Sequence, residues 1–172
     1  MPRLAPRLSP QRAVRLFLKV VAGALGVVLF LWLAKALLMP DPAATLFARA
    51  QRLEVNGLWE QALRHYALLA ETQPASPFAP RALQQEAVIL TGMARRSGDE
   101  SRFRQAVALY QKLAEVYPGS PQAGEALLAA GELAVDELRD TRAGARFYDA
   151  VLERFPHNRE YASEATLRLG RI

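Results

Sequence analysis

The chain of 172 residues has no cysteine and only two histidines. Without cysteine it has no disulfide framework, thiolate nucleophile, cysteine zinc site or lipid-modified cysteine anchor. The histidines, His65 and His157, show no acid–histidine spacing typical of a metal site, and both positions favour solvated surface side chains. No strand followed by a glycine-rich loop is predicted, so no phosphate cradle is expected. We therefore expect no metal, no cofactor and no enzymatic activity.

Acidic residues are absent from the first 39 positions, which hold six arginines and lysines. The remaining 16 of the 22 basic residues and all 17 acidic residues lie in the other 133 positions. The formal charge of +5 is therefore a property of the N-terminus, whereas nucleic-acid binding calls for basic residues clustered on a folded domain. The distribution predicts a basic segment at residues 1–15 and no nucleic-acid partner.

Residues 16–39 are apolar except for two lysines, with an uninterrupted apolar run over residues 20–34. A helix needs roughly 20 mostly apolar residues to span a bilayer, so 16–39 is predicted to be a transmembrane signal-anchor helix in contact with lipid. Lys19 and Lys35 near its ends can extend to the headgroups, and Trp32 fits an interfacial anchor. The excess of positive charge before the span predicts a cytoplasmic N-terminus and an extracytoplasmic remainder.

A cleaved signal peptide is the alternative, because a basic start, an apolar run and the triplet at 34–36 have the expected order. The apolar character continues to Met39, which favours an uncleaved anchor. Within the run, Ala22 and Gly26 form a small-xxx-small pair that would allow two such helices to approach closely. Nothing else in the sequence supports a homodimer.

Three stretches of the remaining sequence resemble one another. Each has a tyrosine, a glutamate five positions later and a proline three positions after that, and the tyrosines are 44 and 38 residues apart. These residues are Tyr66, Glu71 and Pro74, then Tyr110, Glu115 and Pro118, then Tyr148, Glu153 and Pro156. Self-similarity of this period is the pattern of a helical repeat array.

Apolar residues at steps of three and four predict seven helices after the apolar run, and no strand. They lie near 42–55, 58–72, 77–96, 101–116, 121–138, 141–155 and 159–171. Three helix starts place a capping side chain before a proline at the first helical position, and a fourth has an asparagine cap without the proline. These starts are Asp41-Pro42, Ser76-Pro77, Ser120-Pro121 and Asn158.

The phrase at 57–63, followed by Tyr66, Leu69 and Pro74, resembles the tetratricopeptide repeat (TPR). The resemblance covers about residues 43–172, although the spacings exceed the usual period of about 34 residues. It implies an all-α fold in which residues 42–172 form a TPR-like α-solenoid of about three helical hairpins plus a C-terminal helix. The matching positions, expected to form the repeat core, are Trp59, Ala62, Tyr66, Pro74, Phe103, Ala106, Tyr110, Pro118, Gly144, Tyr148 and Pro156.

In tetratricopeptide arrays the first helix of each hairpin lines the binding groove, and this implies a set of groove residues. They are Phe78, Arg81, Gln85, Gln122 and Glu125. Two further groove candidates are Phe47, an aromatic residue outside the repeat motif, and Glu132, a member of an acidic series on the same predicted helix as Glu125. Glu125, Glu132 and Asp136 are spaced seven and four residues apart, which is consistent either with an acidic stripe along the groove or with a solvated outer face.

The order of an anchor followed by longer repeats is similar to that of bacterial envelope TPR proteins, in particular an inner-membrane-anchored, YfgM-like group. The resemblance implies a membrane-anchored adaptor on the periplasmic side, which binds an extended peptide or a helix of another envelope protein and assists secretion or complex assembly. The alternative is a structural accessory subunit of a larger membrane complex.

Overall fold

The computed structural model describes residues 19–32 and 41–172, and the chain divides into two units, Met1–Asp41 and Pro42–Ile172. In the first unit, residues 19–32 form a helix, α1, and all fourteen of its residues are exposed. No helix within the described residues is long and apolar enough to cross a membrane. The predicted basic segment 1–15 and both ends of the predicted span 16–39 lie outside the described residues.

The second unit contains seven helices and, within residues 41–172, no strand. The helices are α2 (Pro42–Val55), α3 (Trp59–Thr72), α4 (Ala79–Ser97), α5 (Glu100–Val116), α6 (Gln122–Asp136), α7 (Thr141–Arg154) and α8 (Arg159–Leu169). Each predicted helix is confirmed, with its ends no more than two residues from those expected. The apolar periodicity was sufficient for this because the helices are long and strongly amphipathic.

Two of the predicted helix starts need correction. Helices α4 and α6 begin after the Ser-Pro pairs, because the chain first makes a tight turn in which the serine carbonyl accepts a hydrogen bond three residues ahead, at 3.0 Å for Ser76 and 3.1 Å for Ser120. The Ser76 hydroxyl accepts from the Phe78 amide at 3.2 Å, within that turn. The Ser120 hydroxyl is buried and has no hydrogen-bond partner among the described residues. Neither serine caps a helix.

Side-chain caps are present at three other helix starts. The predicted cap at Asn158 is confirmed, since its Oδ1 accepts from the Tyr161 amide at 3.2 Å. Asp99 and Asp140 cap α5 and α7, accepting from the Ser101 and Ala143 amides at 3.0 and 2.8 Å. Gly98, with φ at +69°, ends α4 in a left-handed conformation that glycine adopts without a Cβ penalty.

Consecutive helices pack against each other from α2 through α8, and α6 also contacts both α4 and α8. The second unit therefore consists of three hairpins, α2–α3, α4–α5 and α6–α7, followed by α8. The first helices of the later hairpins and α8 form one side, and the second helices α3, α5 and α7 form the other. This is the TPR-like arrangement of helices that the repeats predicted.

The repeat-signature residues fill the contacts between these helices. Tyr66 and Tyr148 are among the largest fully buried side chains, and Ala62 and Ala106 have no exposed surface. Phe103 and Tyr110 are also buried, whereas Trp59 is half-buried beneath the Arg96 guanidinium, 5.1 Å from its ring. The three prolines lie in the turns that follow α3, α5 and α7.

Gly144 brings α7 close to α6. A Cβ at this position would overlap the Val135 side chain and lie 3.2 Å from the Gly131 carbonyl oxygen, so only glycine fits without moving α6. A Cβ at Gly131 would lie 2.5 Å from the Tyr148 ring. The absence of a side chain at Gly144 and Gly131 therefore lets α7 and the repeat tyrosine Tyr148 pack closely against α6.

Candidate protein-binding surface

Helices α4, α6 and α8 form a surface that we name the A-helix surface. The predicted groove residues Arg81 and Gln85 lie on α4, and Gln122, Glu125 and Glu132 lie on α6. Arg81 and Glu125 are exposed, and the other three are half-buried. The structure thus brings five of the predicted groove residues onto two adjacent helices.

The two predicted aromatic groove residues are less accessible. Phe47 on α2 is only 5% exposed, and its ring packs 5.5 Å from the Tyr66 ring and 5.4 Å from the Phe78 ring. The Arg81 guanidinium covers Phe47 at 5.4 Å from the ring centroid. The structure therefore places Phe47 in the hydrophobic core, where packing between helices removes it from contact with a partner, and leaves Phe78 half-buried beside it.

The acidic residues of α6 bridge the A-helix surface. Glu125 accepts a hydrogen bond from Gln84 of α4 at 3.1 Å, and Glu132 pairs with Arg168 of α8 at 2.9 Å. Asp136, the third member of the predicted stripe, is exposed. These contacts place Glu125 and Glu132 beside α4 and α8, and a binding role for the acidic stripe stays a prediction.

Further charge pairs tie the same helices together. Arg95 of α4 pairs with Glu137 of α6 at 2.7 Å, and Arg168 also pairs with Glu164 one turn earlier on α8 at 2.7 Å. The hydrogen bond to Glu164, followed by the charge of Glu132, raises the pKa of Arg168 above its ordinary value. The guanidinium groups of Arg95 and Arg168 are thus paired with carboxylates across or along the helices.

A pocket of about 320 Å³ opens between α4 and α6. Its lining residues are Val88, Thr91, Gly92, Arg95, Tyr110, Ala129, Glu132 and Leu133. Val88 is 47% exposed, whereas Tyr110 comes from α5 and is only 6% exposed. The pocket therefore offers apolar walls, a tyrosine at its base and one charge of each sign. A smaller cavity of about 100 Å³ between α6 and α8 repeats this plan, with Tyr148 at its base and Glu164 and Arg168 beside it.

The tyrosines of the first two hairpins differ in how their hydroxyl groups are used. The Tyr66 hydroxyl donates to Glu54 of α2 at 2.8 Å, whereas the Tyr110 hydroxyl has no hydrogen-bond partner within the described residues. Burial is the main cause that raises the pKa of Tyr110 to about 12, so the group stays protonated at neutral pH. An unpaired hydroxyl at the base of the pocket can donate to, or accept from, a partner.

Sequence reasoning missed most of this pocket. The nominated residues of α4 stopped at Gln85, although Val88, Gly92 and Arg95 continue the same helical steps of three and four. Tyr110 was correctly assigned to the core, but a core residue can also form the base of a pocket when the helices above it diverge. The missing signal was the spacing between α4 and α6, which a sequence pattern does not contain.

The histidines lie in different surroundings. His157 is exposed, as predicted. His65 was also predicted to be solvated but is half-buried, and its Nδ1 atom is buried with no hydrogen-bond partner among the described residues. Burial, and then the charges of Arg49 and Arg64, lower the pKa of His65, which is therefore neutral at physiological pH. Within residues 19–32 and 41–172, no group of three histidine or acidic side chains is arranged to hold a metal ion.

Residues 86–120 match the family model described as "Tetratricopeptide repeat". The match covers most of α4, all of α5 and the turn that follows, which is one of the three hairpins. Together with the helices of residues 42–172, this match supports a TPR-like protein, and TPR domains generally bind other proteins.

Among solved structures, the chain is similar to one titled "MamA RS-1 ArsTM double mutant". The identity is 18%, over 77% of this chain and 86% of that chain, with a TM-score of 0.38. No curated protein matches the chain. The class of the protein therefore rests on the matched repeat and on the helices themselves.

Proposed function

We propose that this protein is a membrane-anchored scaffold that binds an extended peptide or a helix of another protein along the A-helix surface. The observation that carries this proposal is the pocket between α4 and α6, which is lined by an exposed valine and by a buried tyrosine. Its exposed Val88 and half-buried Ala129 can contact an apolar side chain of a partner, while the free Tyr110 hydroxyl can bond its backbone.

The charges of the surface support a polar rim around that contact. Arg95 and Glu132 lie at the pocket, and both are already paired, which leaves them oriented at little further entropic cost. Glu125 and Asp136 on α6 remain exposed and favour a partner segment with basic residues beside its apolar anchor.

The proposal places the scaffold in the bacterial inner membrane, with the N-terminus in the cytoplasm and the repeats in the periplasm. It is supported by the apolar run at 20–34 and by the basic residues that precede it. The described part of that run, α1, has side chains such as Leu25, Phe30 and Trp32 that are 65–69% exposed and call for an apolar environment. In this setting the partner would be an envelope protein, and the role would be in secretion or complex assembly.

Co-purification from native membranes tests the binding surface. Wild-type protein is compared with Val88→Arg, which fills the pocket, and with Val116→Arg, a matched change of a valine that is 53% exposed at the end of α5. We expect at least one partner to co-purify with wild type and with Val116→Arg but not with Val88→Arg. Identical partner sets for all three proteins would refute the proposed surface.

Two further measurements test the anchor. A reporter that is active only outside the cytoplasm, fused after Ile172, is expected to be active, and a cytoplasm-only reporter that works there would refute the orientation. Removal of residues 1–39 should release the protein from membranes and leave its partner bound. If every partner is lost with the span, the chain is instead an accessory subunit held through its membrane helix.

A further inference from the structure

On the opposite side of the repeats, a larger groove lies between α5 and α7, with α6 as its floor. We name it the B-helix groove, and it encloses about 520 Å³. Helix α5 contributes Arg104, Val107, Gln111 and Glu115, and α6 contributes Leu127 and Ala134. The turn after α6 contributes Leu138 and Asp140, and α7 contributes Ala143, Arg146, Phe147, Ala150 and Arg154. None of these residues lines the pocket between α4 and α6.

The floor of this groove is apolar and only partly covered. Val107, Leu138 and Phe147 are half-buried, and they lie above the buried Leu127 and Ala134. Arg104 and Glu115, at its two ends, are eleven residues apart on α5, which corresponds to roughly 16 Å at 1.5 Å per residue. This length matches about three turns of a helix laid between α5 and α7.

The carboxylates of the groove have hydrogen-bond partners within the protein, whereas its arginines are less completely paired. Its two carboxylates have local partners, because Asp140 caps α7 through the Ala143 amide at 2.8 Å and Glu115 accepts from Gln111 at 2.8 Å. Of its three arginines, Arg104 pairs with Glu100 on its own helix. Within the described part of the chain, Arg154 makes a single long hydrogen bond of 3.4 Å to the Ala114 carbonyl.

Arg146 is exposed and has no hydrogen-bond or ion-pair partner among the described residues. The groove thus combines apolar side chains with guanidinium groups that are free to bind carboxylates bidentately.

We propose that the B-helix groove docks an acidic amphipathic helix of a second protein. Apolar residues one turn apart would pack on Val107, Leu138 and Phe147, and flanking carboxylates would pair with Arg146 and Arg154. A flat lipid surface would meet the arginines but not the recessed floor, so the shape favours a helix over a membrane. This site is distinct from the proposed A-helix surface and does not depend on it.

The test uses the full-length protein in a mild non-ionic detergent and a fluorescent peptide of about 18 residues, long enough to form a helix. The peptide carries leucines at helical spacing with glutamates beside them, and a second peptide has lysine in place of every glutamate. Fluorescence anisotropy should show binding of the acidic peptide only, with an affinity that falls as salt is added.

Two charge reversals on α7 locate the site. Arg146→Glu should weaken binding of the acidic peptide at least fivefold, whereas Arg142→Glu, an exposed arginine of the same helix outside the groove, should change it less than twofold. Circular dichroism checks that both variants keep the wild-type helix content. Val88→Arg on the A-helix surface should leave the peptide affinity unchanged.

Several results would overturn the proposal. They are failure of the acidic peptide to bind wild type, equal loss for both arginine variants, equal binding of the lysine peptide, or loss of binding in Val88→Arg. Recruitment to anionic lipid vesicles that depends on Arg146 would assign the groove to a membrane surface instead. Dissociation of a homodimer by Arg146→Glu would assign it to self-association.

Discussion

The two sides of the repeat unit use similar side chains in opposite ways. On the A-helix surface, Arg95 and Arg168 pair with carboxylates of α6, so charge serves to hold neighbouring hairpins together. In the B-helix groove, Arg146 faces solvent without such a partner, and the carboxylates nearby are occupied by a helix cap and a glutamine. From this difference we infer that the paired charges hold the repeats together, whereas an unpaired charge beside an exposed apolar floor is available to bind a partner.

The contact between α6 and α7 supports both sides at once, so breaking it should have the largest effect. Gly144→Ala introduces a Cβ that overlaps Val135 and crowds the Gly131 carbonyl. After the gain in helix propensity, we expect a net loss of about 2 kcal/mol in the free energy of unfolding. Urea unfolding measures it.

Gly119→Ala is the control for this change, because a Cβ there would meet no atom within 4 Å. We expect the control to stay within about 0.5 kcal/mol of wild type. Equal stability of the two variants would mean that α6 and α7 can separate without cost, and that neither binding surface is rigid.

One half-buried carboxylate, Glu86, lies on α4, outside the B-helix groove. Glu86 lies 44 residues before Ala130, which is buried. The pKa of Glu86 is raised from 4.5 to about 7, chiefly by burial. The charge of Lys112 opposes this increase, and the charge of Glu71 adds to it. Because the folded state binds this proton more tightly, the contribution of Glu86 to stability is fully present below pH 4.5. It is lost as the pH rises through about 7.

Glu86→Gln should remove this loss of stability at high pH and stabilise the protein by about 1–2 kcal/mol at pH 8. This gain is smaller than the full pKa shift of Glu86 implies, because water reaches part of its side chain. At pH 4 the two proteins should be close in stability. Thermal unfolding across pH 4–8 checks this, with the exposed Glu153→Gln as a control. A pH dependence in Glu86→Gln as steep as in wild type would contradict the assignment.

The turn that joins α6 to α7 forms one end of the B-helix groove and carries a local strain. Arg139 has φ at +56°, a left-handed conformation that a residue with a Cβ adopts at a cost. Arg139→Gly should therefore stabilise the protein by about 1 kcal/mol, less whatever entropy glycine adds to the unfolded chain. Unchanged or lower stability, measured by urea unfolding, would show that the arginine side chain contributes as much as the strain costs.

The smallest expected effect compares single arginines from the two sides. Arg168→Ala removes pairs with Glu132 and Glu164 and should cost about 0.5 kcal/mol, since all three side chains are partly exposed. Arg146→Ala should change the free energy of unfolding by less than about 0.3 kcal/mol, because no ion pair is lost. If both variants lowered the free energy of unfolding equally, the proposed difference between the two surfaces would be wrong.

Periodicity alone was sufficient for the helices and for most of the core. Tyr66, Tyr110 and Tyr148 recur at a fixed place in each stretch, and burial of one face of a helix requires apolar residues at just such intervals. The groove was harder to predict. Phe47 was assigned to it as an aromatic residue outside the repeat motif, but its packing against Tyr66 and Phe78 depends on how α2, α3 and the turn after α3 meet.

The sequence by itself determined seven helices, their pairing into hairpins and the small residues that allow close approach, since these follow from local periodicity and residue size. Only the tertiary structure decided which faces stay open. The pocket above Tyr110 lies between α4 and α6, and the groove beside Arg146 lies between α5 and α7. Both depend on distances between residues about 40 positions apart, which no local pattern records.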